Sequence, residues 1–352
     1  MSESKLYKVE KEWLILPSFC NFGSMLNSIE SLDQFIHDQK AGGFGHSLIL
    51  PFKFNPSENI FSLTNIKNRY KNEIELSFAL SLVHKTYHSS TPKFVNFSRF
   101  KNSENNFLNF FFHHRLDDPL TISYVYQAML KAKDYDTIYI SFPEFRELHP
   151  DGEIHEGNYS FELGLEGIPS LSEEAAVARD LEIAYSVGNR IHFHQISSKR
   201  SVELIRRAKK DKVKVTCGVG PHHLIYTHEK TFPFNTTFKY LPPLRDESDR
   251  MALLEGVEDG TIDTMALGFF TPEEIKVSEK NWTLKHFSES IFVSPMATTI
   301  FSELYDNLII KEKFNLNKLL TILSTKPLAL LKGTQKPFKL RYNIETKKIK
   351  KD

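Results

Sequence analysis

The residues of this chain that could do chemistry are few and scattered. His192 and His194, in "HFH", stand at i and i+2 and share one face if the segment is a strand, which is a metal-pair spacing. His113-His114 ends an apolar run and could bring one imidazole to a strand end. "PHHL" carries His222 and His223. The densest polar cluster is "LHPDGEIHEG", with His149, Asp151, Glu153, His155 and Glu156. Its Pro and Gly mark a loop, so its charges are expected to be solvated. Cys217 sits in an apolar run without an evident partner base, which favours a buried strand residue over a nucleophile. Asn235-Thr236-Thr237 has the form of a glycosylation sequon, without meaning in a cytoplasmic chain. The stretch "DGTIDTMALGFFTPEE" is the opposite case. It reads as a buried strand opening into a loop, where many α/β enzymes hold a catalytic carboxylate. Yet it ends Ala266-Leu267-Gly268-Phe269-Phe270, with nothing that ionises. Nowhere do His, Asp or Glu gather at the expected strand ends in numbers that could hold zinc.

The elements that would position these residues alternate. "HSLILPF" (46–52), "FLNFFFHH" (107–114), "DTIYISF" (136–142), "RIHFHQIS" (190–197), "VKVTCGVG" (213–220) and "TIDTMALG" (261–268) read as buried strands by length, β-branched and aromatic content and flanking turn residues. Helical patterns lie between them. In "SLSEEAAVARDLEIAYSVG", Ser170 and Glu173 fit a capping box, Ala176, Val177, Ala184 and Val187 form an apolar stripe, and Gly188 is a stop. "SVELIRRAKKDK" (201–212) is apolar on one side and basic on the other. Strand, helix, strand, helix implies a parallel sheet with crossover helices. No G-x-G-x-x-G turn follows any strand, which favours a (β/α)8 barrel over a doubly wound sheet. With 352 residues, 40% of them apolar, the chain can bury a core of that size. Lys and Arg number 45 against 44 Asp and Glu, a formal charge of +1, so no global field draws nucleic acid or a membrane surface. Two cysteines, Cys20 and Cys217, make no disulfide framework and suit the cytoplasm. Neither an apolar leader nor a membrane-length apolar run is present. The terminal "ETKKIKKD" is expected to be frayed and solvated.

Several stretches together resemble one family, the dihydroorotases of the amidohydrolase superfamily. They are "AGGFGHSLILPF", "EGIPSLSEEAAVARDLEIAYSVGNRIHFHQISSKRSVELIRRAKKDKVKVTCGVGPHHL", "FKYLPPLRDESDRMALLEGVEDGTIDTMA" and "STKPLALL". The resemblance covers roughly residues 14–332 and is dense from Gly157 to Ala266. It implies a (β/α)8 TIM barrel of the metal-dependent hydrolase type, with one or two zinc ions at the C-terminal mouth of the strands. There the metal activates water against a cyclic amide and a carboxylate takes the proton. In this chain the positions that would do so are altered. Asn21, Gly23 and Met25 stand at the carboxylate and two histidines of the first strand's signature. Asn27 replaces the Arg, and Phe52 the Asn, that grip the substrate. The bridging acid falls near His113 or His114, one metal His at Ser141 and the next at Gln195. Leu241 replaces the Asn of Asn-Pro-Pro-Leu-Arg, whose Arg245 remains. Gly268 stands for the catalytic Asp, and Phe269 and Pro272 for the two histidines that follow it. With Gln195 facing the lumen, His192 and His194 are expected to face the outer helices as core residues.

The resemblance thus implies a homologue without zinc, its degenerate positions leaving only His113, His114 and Arg245 as a residual polar pocket. The expected organisation is an N-terminal extension (1–13), a barrel (14–332) and a basic C-terminal tail (333–352), the family's flanking β-sandwich being missing or vestigial. The function expected is a non-catalytic scaffold in pyrimidine biosynthesis. In some lineages inactive homologues assemble with aspartate transcarbamoylase, so that enzyme is the partner expected, in an oligomer or hetero-complex. The alternatives are an active cyclic amidohydrolase with a relocated or metal-free site, and a binding module for an apolar ligand against Phe52, Phe269 and Phe270.

Overall fold

A computed structural model describes residues 6–26, 28–51, 60–81, 94–101, 109–113, 121–270, 284–331 and 337–352. Its strands are β1 (Lys8–Glu10), β2 (Trp13–Pro17), β3 (Phe19–Met25), β4 (Phe44–Leu50), β5 (Glu75–Phe78), β6 (Leu80–Ser81), β7 (Phe110–His113) and β8 (Ile138–Ser141). There follow β9 (Ile154–His155), β10 (Gly167–Ile168), β11 (Arg190–Phe193), β12 (Val215–Val219), β13 (Thr264–Met265), β14 (Gly268–Phe269), β15 (Lys339–Asn343) and β16 (Ile349–Lys351). The helices are α1 (Leu32–Ala41), α2 (Ile60–Tyr70), α3 (Ser98–Lys101), α4 (Ile122–Asp134), α5 (Asn158–Leu163), α6 (Ser170–Val187), α7 (Lys199–Lys210), α8 (Glu247–Glu258), α9 (Leu284–Glu289), α10 (Ala297–Leu304), α11 (Leu316–Leu320) and α12 (Lys326–Leu331).

Two parallel sheets, ordered β13-β12-β11-β8-β7-β6 and β14-β3-β4-β5, share their edge segments. Residues 75–81 pair with β4 and then β7, and residues 264–269 with β12 and then β3. The hydrogen-bonded order therefore returns to its start, and the strands of these two sheets form a ring with no free edge. Alternation sorts the side chains into two layers. Phe111, Tyr139, Ile191 and Phe193 join the helix-borne Phe35, Val125, Val177 and Ile205 in an outer core. Phe22, Phe110, Phe112, Ile138 and Ile140 fill the ring itself.

The helical patterns behave as their sequences predict, except at one cap. Helix α6 stops at Gly188, whose φ of 75° is the left-handed conformation a glycine adopts without strain. Its N-terminus departs from the expected capping box. Pro169 holds the cap position without a side-chain bond, while Glu173 turns away to accept from the backbone N–H groups of Ser197 and Ser198 at 3.0 Å. Helix α7 is capped by Ser198, which accepts from Ser201 N.

The two chain ends correct the expected organisation. β1, β2, β15 and β16 form one four-stranded antiparallel sheet, and β2 pairs with β15 from Trp13↔Asn343 to Pro17↔Lys339. Flanking β-structure is present, residues 14–17 belong to it and not to the ring, and the basic tail is not frayed. Its lysines hid a period of two. Leu340 and Tyr342 point inward and are 1% and 0% exposed, and Tyr342 packs on Phe301 at 4.9 Å.

Candidate functional site

The mouth of the ring is built from the ends of β3, β8, β11, β12 and β14. Two glycines there are crowded by side chains from one segment, the residues just after β11. Gly23 has φ 142°, and a Cβ on it would lie 2.5 Å from His194 Cε1 and 2.8 Å from its Nδ1. Gly268 has φ 79°, and a Cβ there would lie 2.8 Å from Gln195 Oε1. The positions expected to carry a metal histidine and a catalytic aspartate are therefore filled, by His194 and Gln195.

His194 is thus an interior residue, against expectation. Its ring lies 6.2 Å from Phe112 and 6.1 Å from Phe142, and His192 lies 4.7 Å from Phe22. A lumen-facing Gln195 turns both histidines outward only where strand alternation is unbroken. Gln195 has φ 50°, so the alternation breaks there and residues 192, 194 and 195 all face inward.

Ser141 is displaced in the other direction. Its hydroxyl donates to Asp180 Oδ2 on α6 at 2.6 Å, so it faces the helices. The interior place at the end of β8 belongs to Phe142, which packs with Met25, Leu241 and Phe269 in the inner cluster. His113 ends β7, its backbone paired with Ser141. Asn27, Phe52, His114 and Pro272 lie outside the described residues.

Asn21 and Gln195 have become backbone clamps. The strand expected over 261–268 breaks between β13 and β14, and the broken ladder is completed by these two amides. Gln195 Nε2 donates to Ala266 O at 2.7 Å, and Asn21 Oδ1 accepts from Leu267 N at 3.1 Å. Asn21 Nδ2 also donates to Ser24 Oγ (2.8 Å) and Gln39 Oε1 (3.2 Å). Beside Gly268 remains a gap of about 10 Å³, and beyond Ser24 and Leu267 one of about 20 Å³. Each has room for about one water.

This donor set does not fit zinc, which takes imidazole, thiolate or carboxylate in tetrahedral array. Among the described residues the mouth offers glycine, methionine, phenylalanine, two amides already engaged with the backbone and the imidazoles of His194 and His223, and no three metal-ligating groups converge there. Among the described residues one group, His155, Asp246 and Asp249, has ligand atoms within 4.8 Å of one another. It lies outside the ring, and its chemistry opposes a cation. Arg245 Nη1 is 3.2 Å from His155 Nδ1 and can only donate, so the other ring nitrogen carries the proton. Burial, then Arg245 and His228, pull the His155 pKa down to about 3.

Residues 105–201 match the dihydro-orotase-like family model. The chain is 37% identical over 218 residues to the dihydroorotase of Latilactobacillus sakei subsp. sakei (strain 23K), covering 61% of this chain and 48% of that one. It is 35% identical over 211 residues to the dihydroorotase of Bacillus subtilis (strain 168), covering 59% and 47%. Together these matches show a similarity to dihydroorotases over about 60% of the chain. The chain spans about half the length of the curated relatives it matches. Among solved structures, dihydropyrimidinase from Brevibacillus agri NCHU1002 superposes with a TM-score of 0.70 at 14% identity, covering 94% of this chain and 76% of that one. L-hydantoinase from Arthrobacter aurescens gives 0.70 at 17%, covering 92% and 72%. At such identities the likeness shows the fold alone, an α/β fold shared with these two proteins. Among the described residues, no helix is long and apolar enough to cross a membrane.

The remaining polar candidates do not converge. Arg245 is buried, donating to Ser197 Oγ (2.7 Å), Ser170 Oγ (3.0 Å) and Ile168 O (3.3 Å), with Glu173 Oε2 3.6 Å away. It joins the start of α6 to the segment after β11. The loop at 149–156 is divided among separate partners: His149 meets Ser172, Glu153 the buried Lys239, and His155 Arg245. Asp151 and Glu156 are exposed as expected, but His149 and His155 are buried, so the cluster is not the solvated loop that its Pro and Gly suggest. His222 bridges Tyr240 Oη (2.6 Å) and Glu303 Oε2 (3.0 Å), and His223 meets Pro242 O (2.9 Å). Cys217 is fully buried, and burial pushes its thiol far above the usual range. The Glu173–Arg245 link was missed because Glu173 also fitted a helix cap. Arg245→Ala is expected to cost about 3–5 kcal/mol by leaving Glu173 as a buried charge short of a partner. Arg245→Lys should recover little, because one ammonium cannot span the fork's acceptors. Urea denaturation of both variants checks this.

Proposed function

We propose that this chain is a dihydroorotase-like (β/α)8 barrel whose catalytic mouth has been converted to core, and that it acts as a non-catalytic scaffold in pyrimidine biosynthesis. The observation that carries the reading is the crowding of Gly23 by His194 and of Gly268 by Gln195. An inactive enzyme that had lost single ligands would keep an open pocket. Here the vacated positions are packed, and the two remaining amides serve the backbone. The partner proposed is aspartate transcarbamoylase, in a cytoplasmic hetero-complex without zinc. The expected results are zinc well below one per chain after purification, no dihydroorotase turnover with or without added zinc, and co-elution with the same organism's aspartate transcarbamoylase on a sizing column. Stoichiometric zinc with turnover that chelation abolishes overturns the inactive reading. Separate elution overturns the partner.

The rival reading, an active cyclic amidohydrolase, is favoured by the names of the relatives themselves, which are dihydroorotases. Turnover that is insensitive to chelation would establish its metal-free form. The ligand-module reading is disfavoured by the inner cluster of Phe22, Phe110, Phe112, Phe142 and Phe269 and by gaps too small for a ring.

A further inference from the structure

Two buried acceptors at the mouth face one small gap. Gln195 Nε2 donates to Ala266 O, which fixes the amide's orientation and leaves Oε1 as an acceptor. His223 Nε2 lies 2.9 Å from Pro242 O. A carbonyl can only accept, so Nε2 holds the proton and Nδ1 is a lone pair. Neither Oε1 nor Nδ1 has a partner, although Gln195 and His223 are 4% and 5% exposed. Both residues line the gap of about 10 Å³ together with Gly220 and Gly268. A Cβ on Gly220 would lie 2.5 Å from His223 Nδ1 and 3.2 Å from Gln195 Nε2, while one on Gly268 would meet Gln195 Oε1. A Cβ on either glycine would crowd Gln195 or His223.

We infer that this gap is a binding site for a single water molecule, which donates one hydrogen to Gln195 Oε1 and the other to His223 Nδ1. The chemistry of the pair selects the ligand. Two neutral buried acceptors call for a double donor, since a buried polar atom without a partner is costly. The volume admits one water and excludes any amide or ring. A cation could also engage two lone pairs, but two neutral ligands are too few to replace its hydration shell. The bound water would tie the end of β11 to the turn after β12. The inference needs no assumption about turnover, so the assays above and the test below fail independently.

The test is a crystal structure of the full chain, refined to about 1.5 Å from chelator-treated protein and again from protein soaked in zinc. The expected result in both is one peak without anomalous signal, at ordinary water hydrogen-bond distance (about 2.7–3.0 Å) from both acceptors. In Gln195→Met, which keeps the side chain's length and removes its polar atoms, the peak should be lost. A dry gap in the wild type overturns the inference. So does an anomalous zinc peak at about 2.0–2.1 Å from His223 Nδ1, or a peak that persists unchanged in Gln195→Met.

Discussion

Gly268→Asp, which returns a carboxylate to the end of β14, should lower stability by about 3–5 kcal/mol and yield no turnover. Three effects act together. The backbone there has φ 79°, where a side chain costs about 1 kcal/mol or more. The new Cβ would meet Gln195 Oε1 at 2.8 Å, closer than packing permits, and Gln195 is held by its bond to Ala266 O. The carboxylate would then face another acceptor, Gln195 Oε1, in a buried place. Gly23→Ala should behave similarly against His194, whose Cε1 would be 2.5 Å from the new atom. Denaturant midpoints measure both. The decisive comparison is the pair Gly23→Ala/His194→Ala. If the imidazole is what fills the space, the double variant is less destabilised than the sum of the singles by about 1 kcal/mol or more. Strict additivity would show that His194 does not fill the space at Gly23, and a Gly268→Asp protein as stable as the parent would show that Gln195 does not fill the space at Gly268.

The second large effect is acid sensitivity that begins near neutrality. Burial holds His223 at about 4 and His155 at about 3, below the ordinary 6.5. A histidine with a depressed folded pKa stabilises the fold above its unfolded value. That contribution is lost as pH falls from about 6.5 toward 3–4, because the unfolded chain takes up the proton first. Asp249 acts in the opposite sense. Burial raises it to about 6, so its contribution is present below the ordinary carboxylate value and disappears as pH rises through 6. Two histidines against one aspartate leave a net difference of one proton at most, and hence a slope of about 1 kcal/mol per pH unit between pH 6 and 4. Stability measured by denaturation at several pH values gives the slope directly. Asp249→Asn should steepen it, since the amide oxygen can still accept from Lys199 N while the opposing titration is gone. A flat profile across that window would mean that these imidazoles are not held neutral by burial.

Much of the framework could be read from residue types alone. Helix α6 carries its apolar stripe and its glycine stop, and the strands at 190–193 and 215–219 fall within the apolar runs that predict them. What could not be read were breaks in periodicity. A single left-handed residue, Gln195, moves His194 from the outer layer to the interior, and no residue type announces it. A shift of one residue places Phe142 inside and Ser141 outside, because a strand's two faces exchange with every step. The terminal sheet was hidden for a compositional reason. Its lysines dominate the tail, while Leu340 and Tyr342, which decide its burial, are few.

The ring and the terminal sheet both join segments from opposite ends of the chain. β3 completes its pairing only with β14, and β2 only with β15. During synthesis the first strands must therefore wait with open, apolar edges until nearly the whole chain has emerged. The cost of closing so long a loop falls due before the contacts that offset it can form. Nascent chains halted before β14 should thus be the species that chaperones meet and that aggregates, and β15 is needed to fasten β2.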